Sequence, residues 1–136
     1  MKEFVLKIIL MALAFSACSV SAEKTYNEIT VEEVRMIIDA KDENVFLLDV
    51  RTLGEYHGEL GHLPTATLIP HNELEGRLAE LSVYKDKKII TYCRSGVRSV
   101  IASEILSKNG YDVYNMTGGM NLWKSTYPDY NILGVK

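Results

Sequence analysis

The sequence is poor in cysteine and carries no excess of positive charge. Its 136 residues include only two cysteines, Cys18 and Cys93, and the formal net charge at pH 7 is −3. Because no basic surface is indicated, we expect no nucleic-acid partner. The absence of a Cys-x-x-Cys pair disfavours a dithiol redox site. His57, His62 and His71 lack the spacing of a zinc site, so the sequence predicts neither a metal nor a cofactor.

A long apolar run is also missing. The longest candidate, residues 8–17, is too short to span a membrane. Lys2 and Lys7 precede this run, and small side chains follow it. That arrangement is typical of a secretory signal peptide. We therefore predict a signal peptide over residues 1–22 and one domain over residues 23–136.

Two processing routes fit this N-terminus. Val20 and Ala22 are small residues that suit ordinary cleavage before Glu23. The stretch "FSAC" resembles a bacterial lipobox in which Cys18 would be lipidated, but Phe15 stands where an aliphatic residue is usual. We favour cleavage and export to the bacterial periplasm or cell envelope. Membrane attachment is expected only if Cys18 is lipidated, and an uncleaved anchor helix is the third alternative.

Apolar strands alternate with helical patterns along the rest of the chain. The predicted strands cover residues 45–50, 67–70, 88–93 and 113–119. Helices are predicted after the Thr30–Glu33 capping box, over residues 72–82, over residues 99–110 and around Trp123. Val97, Ile101 and Ile105 form the predicted inner stripe of the third helix. Alternation of this kind predicts an α/β fold, with a central, mostly parallel sheet and helices on both faces.

The chemistry is indicated where the strand over residues 88–93 ends. Ligands bind at the carboxyl ends of the strands in such sheets, and Cys93 lies at that point. The following loop leads into the N-terminus of a helix, whose unpaired N–H groups attract anions, and Gly96 permits the tight turn. A thiol in such a cradle ionises readily. Cys93 is therefore the predicted nucleophile.

Two arginines narrow the substrate class. Arg94 and Arg98 flank the Ser-Gly-Val segment after Cys93 and can hold an oxyanion. The site therefore suits a thiolate that attacks an anionic molecule, and phosphate esters and thiosulfonates both qualify.

Four motifs in this order resemble the rhodanese family of sulfurtransferases. They are "LLDVRTLGEY", "GHLPTATLIP", "CRSGVRS" and "GGMNLW". The resemblance covers almost the whole chain after residue 22, and it implies the rhodanese-like α/β fold.

The resemblance also implies a reaction and a set of roles. Cys93 would take the outer sulfur of thiosulfate or a similar donor, forming a persulfide, and pass it to cyanide or a thiol; a protein acceptor is a further expected partner. Asp49 and Arg51 would support the site, and His62 would pack in a loop. The implied substrate-binding residues are Arg94, Ser95, Gly96, Val97, Arg98 and Ser99.

Some features depart from the family pattern, and other functions compete. "HGEL" after Tyr56 lengthens one loop by about two residues, and Thr65 and Thr126 stand where glycine is usual. The alternatives are a non-catalytic or redox partner-binding module and, less favoured, a cysteine phosphatase or arsenate reductase. Those enzymes have five residues between cysteine and arginine, whereas four separate Cys93 from Arg98.

We predict that the exported chain begins at Glu23 and carries no lipid. Small residues at Val20 and Ala22 satisfy signal peptidase, whereas Phe15 weakens the lipobox. N-terminal sequencing and intact mass of the membrane and soluble fractions test this. A blocked, membrane-bound chain that starts at Cys18 would contradict it.

Overall fold

A computed structural model describes residues 23–130, so the predicted signal peptide and Cys18 lie outside the described residues. Its centre is a five-stranded sheet in which every strand pair is parallel, with strand order β1-β5-β4-β2-β3. The strands are β1 (Asn27–Ile29), β2 (Val45–Asp49), β3 (Thr67–Leu68), β4 (Lys88–Tyr92) and β5 (Asp112–Met116). The predicted α/β class and parallel sheet are confirmed.

Within residues 23–130, four α-helices and one 3₁₀ helix accompany the strands, and the last α-helix follows β5. They are α1 (Val31–Asp39), α2 (Leu53–Tyr56), the 3₁₀ helix (Glu75–Tyr84), α3 (Val97–Lys108) and α4 (Gly119–Thr126). The predicted capping box starts α1, because the Thr30 hydroxyl accepts the Glu33 amide and the Glu33 carboxylate accepts the Thr30 amide. Within residues 23–130, no helix has the length and apolarity to cross a membrane.

The two central strands are apolar runs that are buried on both faces. β2 and β4 pair in register from Val45 with Lys88 to Asp49 with Tyr92. Two clusters of buried side chains, one on each face, cover these strands. A parallel register brings the carboxyl ends of neighbouring strands to one edge. Cys93, the residue after β4, therefore lies beside the end of β2.

Several element boundaries differ from the sequence prediction. β1 was not predicted, because three residues are too short to show a period. The helix predicted over residues 72–82 is a 3₁₀ helix over Glu75–Tyr84, and residues 72–74 form a turn. Residues three apart align in a 3₁₀ helix, so Leu78, Leu81 and Tyr84 share one edge, which packs on the core.

The predicted inner stripe of α3 is wrong. Val97 and Ile101 are 70% and 44% exposed, and Ile105 is only partly buried. The face that packs on the sheet instead contains Ser99, Ala102, Ser103 and Leu106. Small side chains let the helix approach the sheet closely, and the Ser103 hydroxyl lies 2.7 Å from that of Thr91. Apolar periodicity could not reveal a buried face that is half serine.

Thr65 has a left-handed backbone, with φ of 65°. A β-branched residue is rarely found there, which explains why glycine is usual at this position of the family pattern. Thr126, the other threonine in such a position, ends α4 and donates its hydroxyl to the Leu122 carbonyl at 2.8 Å. Only the first of the two substitutions therefore strains the backbone.

The start of α4 fixes the loop that follows Cys93. The amide of Met120 donates to the Cys93 carbonyl, and that of Asn121 donates to the Arg94 carbonyl, both at 2.9 Å. Gly119 permits this approach, because a Cβ there would lie 2.5 Å from the Cys93 carbonyl oxygen. Because α4 binds the carbonyls of Cys93 and Arg94 on one side of the loop, the amide of Gly96 can face the Cys93 sulfur on the other.

We predict that Gly119→Ala destabilises the fold much more than Gly110→Ala. Both glycines have positive φ, but the space around Gly110 is open. The left-handed backbone costs each variant about 1–2 kcal/mol. Gly119→Ala adds a clash with backbone that costs about 1–3 kcal/mol more.

Urea unfolding of the two variants measures the difference in the free energy of unfolding. Equal losses in the two variants would mean that α4 does not hold the loop.

Candidate active site

The Cys93 sulfur is buried at the bottom of a tight loop. Its Sγ accepts a hydrogen bond from the Gly96 amide at 3.1 Å and lies 3.4 Å from the Ser99 hydroxyl. Cys93 itself is 1% exposed. The sulfur therefore faces donors from the loop and from the first turn of α3, as the sequence predicts.

Gly96 makes this arrangement possible. It is the N-cap of α3 and has φ of 109°, in the region that glycine tolerates and other residues avoid. The turn directs its amide back at Sγ. Its carbonyl accepts a hydrogen bond from the Ser99 hydroxyl at 3.1 Å, and the single proton of that hydroxyl can turn to Sγ when the sulfur is a thiolate.

The surroundings of Cys93 favour its thiolate. Burial alone would raise the pKa of the thiol. Hydrogen bonds from the Ser99 hydroxyl and from the amides of Ser99, Gly96 and Ser95 outweigh burial, so that the pKa lies below its ordinary value. The same donors can hold any anion that forms on this sulfur.

The two arginines of the loop differ in their ion pairing. Arg94 is exposed, and no ion pair within residues 23–130 involves it. Both Nη atoms of Arg98 donate to Glu55 at 2.7 Å, forming a bidentate ion pair. The guanidinium that was predicted to bind an oxyanion therefore already holds a carboxylate of the protein. Its positive charge still acts on the Cys93 thiolate.

Glu55 is a site residue that the sequence analysis missed. Its carboxylate also accepts the amide and hydroxyl of Thr52, in a capping box that starts α2. Hydrogen bonds from Arg98 lower the pKa of Glu55 to about 2. The Thr-x-x-Glu spacing from Thr52 to Glu55 is the signal that could have revealed the capping role. The partner on α3 has no signal in the sequence.

Asp49 and Arg51 form a buried ion pair next to the loop. Their side chains are almost fully buried, and Nη2 of Arg51 lies 2.6 Å from the carboxylate. The same nitrogen donates to the Gly61 carbonyl at 2.7 Å. Arg51 thus links the end of β2 to the long loop before β3. This placement suits the supporting role that the resemblance implies.

His62 packs in the same long loop. Its ring stacks on Tyr56 with centroids 3.5 Å apart, and Nδ1 donates to the Tyr56 carbonyl at 2.9 Å. In the part of the chain that the structure describes, no cluster of three or more His, Cys, Asp or Glu residues could hold a metal ion.

The structure divides the predicted loop residues into two groups. Cys93, Gly96 and Ser99 meet at the sulfur, whereas Arg94, Ser95 and Val97 have exposed side chains. A cleft of about 330 Å³ opens beside Arg94. It is lined by Arg51, Thr52, Gly54, Glu55, Gly58, Glu59, Leu60 and Arg94. A small molecule in this cleft would therefore lie next to the loop that holds the nucleophile.

The chain resembles known proteins over most of its length. The family model described as rhodanese-like domain matches residues 30–126. A sulfurtransferase of Allochromatium vinosum is 37% identical over 98 residues, which are 71% of this chain and 87% of that protein. The thiosulfate sulfurtransferase GlpE of Pseudomonas savastanoi pv. phaseolicola is 28% identical over 95 residues, 69% of this chain and 86% of that protein.

Solved structures agree with these relatives. A rhodanese-related protein from Thermoplasma volcanium superimposes with a TM-score of 0.68 and 28% identity, covering 80% of this chain and 99% of that one. The cysteine loop, the parallel sheet and the match over residues 30–126 lead to the same conclusion. This chain belongs to the rhodanese family, and several of its relatives are named sulfurtransferases.

Proposed function

We propose that the protein transfers a sulfane sulfur from thiosulfate, or a similar donor, to cyanide or a thiol through a persulfide on Cys93. The Cys93 thiolate attacks the outer sulfur of thiosulfate and forms a new S–S bond. The old S–S bond breaks, and sulfite leaves with the electron pair. The acceptor then removes the outer sulfur and restores the Cys93 thiolate.

One observation carries this proposal: the hydrogen bonds around Sγ. The Gly96 amide and the Ser99 hydroxyl reach the sulfur itself. These donors favour the thiolate that attacks the donor molecule, as the lowered pKa of Cys93 indicates. They would also stabilise the negative charge on the outer sulfur of a persulfide.

Loop length favours sulfur transfer over phosphate hydrolysis. Four residues separate Cys93 from Arg98, one fewer than in the loop of cysteine phosphatases. A shorter loop closes on a single sulfur atom rather than around a whole phosphate group. Arg94, on the exposed side of the loop, is placed to attract the anionic end of the donor.

The setting of this activity is also a proposal. The N-terminal pattern of residues 1–22 suggests that the chain works outside the cytoplasm, in the periplasm or envelope. There Cys93 would act on small sulfur compounds, with a protein as a further acceptor.

We predict that thiosulfate adds the mass of one sulfur atom to the protein and that cyanide removes it. Cys93→Ser should abolish both the mass gain and thiocyanate formation, because a hydroxyl is not ionised at neutral pH. Intact mass spectrometry and a thiocyanate assay measure the two results, with Ser103→Ala as the folded control.

The competing phosphatase function is tested in the same preparation with para-nitrophenyl phosphate. Hydrolysis that depends on Cys93, without thiocyanate formation, would refute sulfur transfer. Thiocyanate formation by Cys93→Ser would refute the persulfide.

We predict that Ser99→Ala shifts the pH profile of sulfur loading toward higher pH. The Ser99 hydroxyl helps to lower the pKa of Cys93, so its removal raises that pKa and leaves less thiolate at low pH. A hydrogen bond to a charged group contributes about 1.5–3 kcal/mol, and loading at pH 6 should slow on the order of tenfold.

Ser103→Ala is the matched control, since Ser103 is also buried on α3 but contacts Thr91 rather than the sulfur. Its profile should keep the parent midpoint. If both variants shifted equally, or neither shifted, the Ser99 hydroxyl would have no specific effect on the ionisation of Cys93.

A further inference from the structure

The cleft beside the active-site loop has the size of a small-ligand site. Its volume of about 330 Å³ is near the lower end of the usual range, about 300–1,000 Å³. Arg94, the residue directly after Cys93, forms one wall. The stretch from Arg51 to Leu60 forms the other. A ligand here would touch the loop that holds the nucleophile.

Of the four charged side chains that line the cleft, two are held in ion pairs within the protein. Arg51 is neutralised by buried Asp49, and Glu55 is neutralised by Arg98. Within residues 23–130, neither Arg94 nor Glu59 takes part in an ion pair. The cleft therefore presents one positive and one negative charge to a ligand.

The acidic wall comes from the loop that departs from the family pattern. Gly58, Glu59 and Leu60 belong to the "HGEL" stretch that lengthens this loop. Leu60 is partly buried and packs against the core. Gly58 turns closely over α2, since a Cβ there would lie 2.8 Å from the Gly54 carbonyl oxygen. Anchored on both sides, Glu59 is held at the rim of the cleft.

We infer that this cleft binds the sulfur acceptor and that the acceptor is a small zwitterionic thiol. Its carboxylate would bind Arg94 and its ammonium group would bind Glu59. A thiol with an α-amino acid group, such as cysteine or a short peptide that contains it, meets this description. The inference rests on the proposed function, because it requires a sulfur on Cys93 to be collected.

Binding in this way places the acceptor against Arg94, the residue that follows Cys93 in the chain. The acceptor thiol loses its proton to solvent, and its sulfur forms a bond to the outer sulfur of the Cys93 persulfide. The bond from the outer sulfur to Sγ breaks, and Sγ keeps the electron pair as a thiolate. The acceptor leaves as a persulfide, so no other oxidant or reductant is needed.

The test measures discharge of the loaded protein. The protein is loaded with thiosulfate and freed of donor, and loss of the sulfur is followed by intact mass with four acceptors. Cysteine carries both charged groups, cysteamine lacks the carboxylate, and 3-mercaptopropionate lacks the amine. Cyanide has neither group and is the reference acceptor. Glu59→Gln is compared with Glu75→Gln, a change at an exposed glutamate on the 3₁₀ helix. Each acceptor is compared only with itself across variants, so that its own basicity cancels.

We expect Glu59→Gln to lower the rates with cysteine and cysteamine about fivefold relative to cyanide, which corresponds to about 1 kcal/mol. The rate with 3-mercaptopropionate relative to cyanide should stay within error, and Glu75→Gln should change no ratio. Arg94→Gln should slow cysteine and 3-mercaptopropionate but not cysteamine, relative to cyanide. S-methylcysteine, which has both charges and no thiol, should inhibit discharge by cysteine.

Failure of the proposed function and failure of the acceptor site give different results. If the parent protein gains no sulfur from thiosulfate, the proposed function is wrong and this inference fails with it. If the protein loads but Glu59→Gln affects all three thiols equally, or none of them, only the acceptor site is wrong.

Discussion

The hydrogen bond from the Gly96 amide to the Cys93 sulfur is the contact on which the site depends. It exists because Gly96 has φ of 109° at the start of α3. That turn also directs the Ser99 hydroxyl toward the same sulfur. The loop is held from behind by α4, whose first amides bind the carbonyls of Cys93 and Arg94. A backbone that is fixed before reaction needs little reorganisation when charge develops on the sulfur.

Two ion pairs fix the segment between β2 and β3. Asp49 and Arg51 are buried together at the end of β2, and Arg51 also binds the Gly61 carbonyl. Arg98 is joined to Glu55, which caps α2. The long loop before β3 is therefore fixed at two points relative to the nucleophile. Its lengthened part lies between them, where it forms one wall of the cleft. Neither of the two contacts of the Cys93 sulfur, with Gly96 and Ser99, lies in that lengthened part.

Much of this arrangement could be predicted from the sequence, and the misses have physical causes. Continuous apolar runs predicted β2 and β4, and the cysteine after β4 was the candidate nucleophile, which the structure places in a ring of hydrogen-bond donors. The buried face of α3 was missed because Ser99 and Ser103 occupy half of it, whereas the apolar Val97 and Ile101 are exposed. The pairing of Arg98 with Glu55 joins residues 43 positions apart, which local spacing cannot reveal. The close approach of Gly119 likewise depends on how α4 packs against a distant loop.

We propose that the backbone turn after Cys93 stabilises negative charge on sulfur. A crystal structure of the thiosulfate-treated protein tests this most directly. We expect one extra atom bonded to Sγ, within hydrogen-bond distance of amides from the segment Arg94–Ser99 and with the loop otherwise unmoved. An extra sulfur that points away from those amides, or a loop that must open to hold it, would contradict the claim.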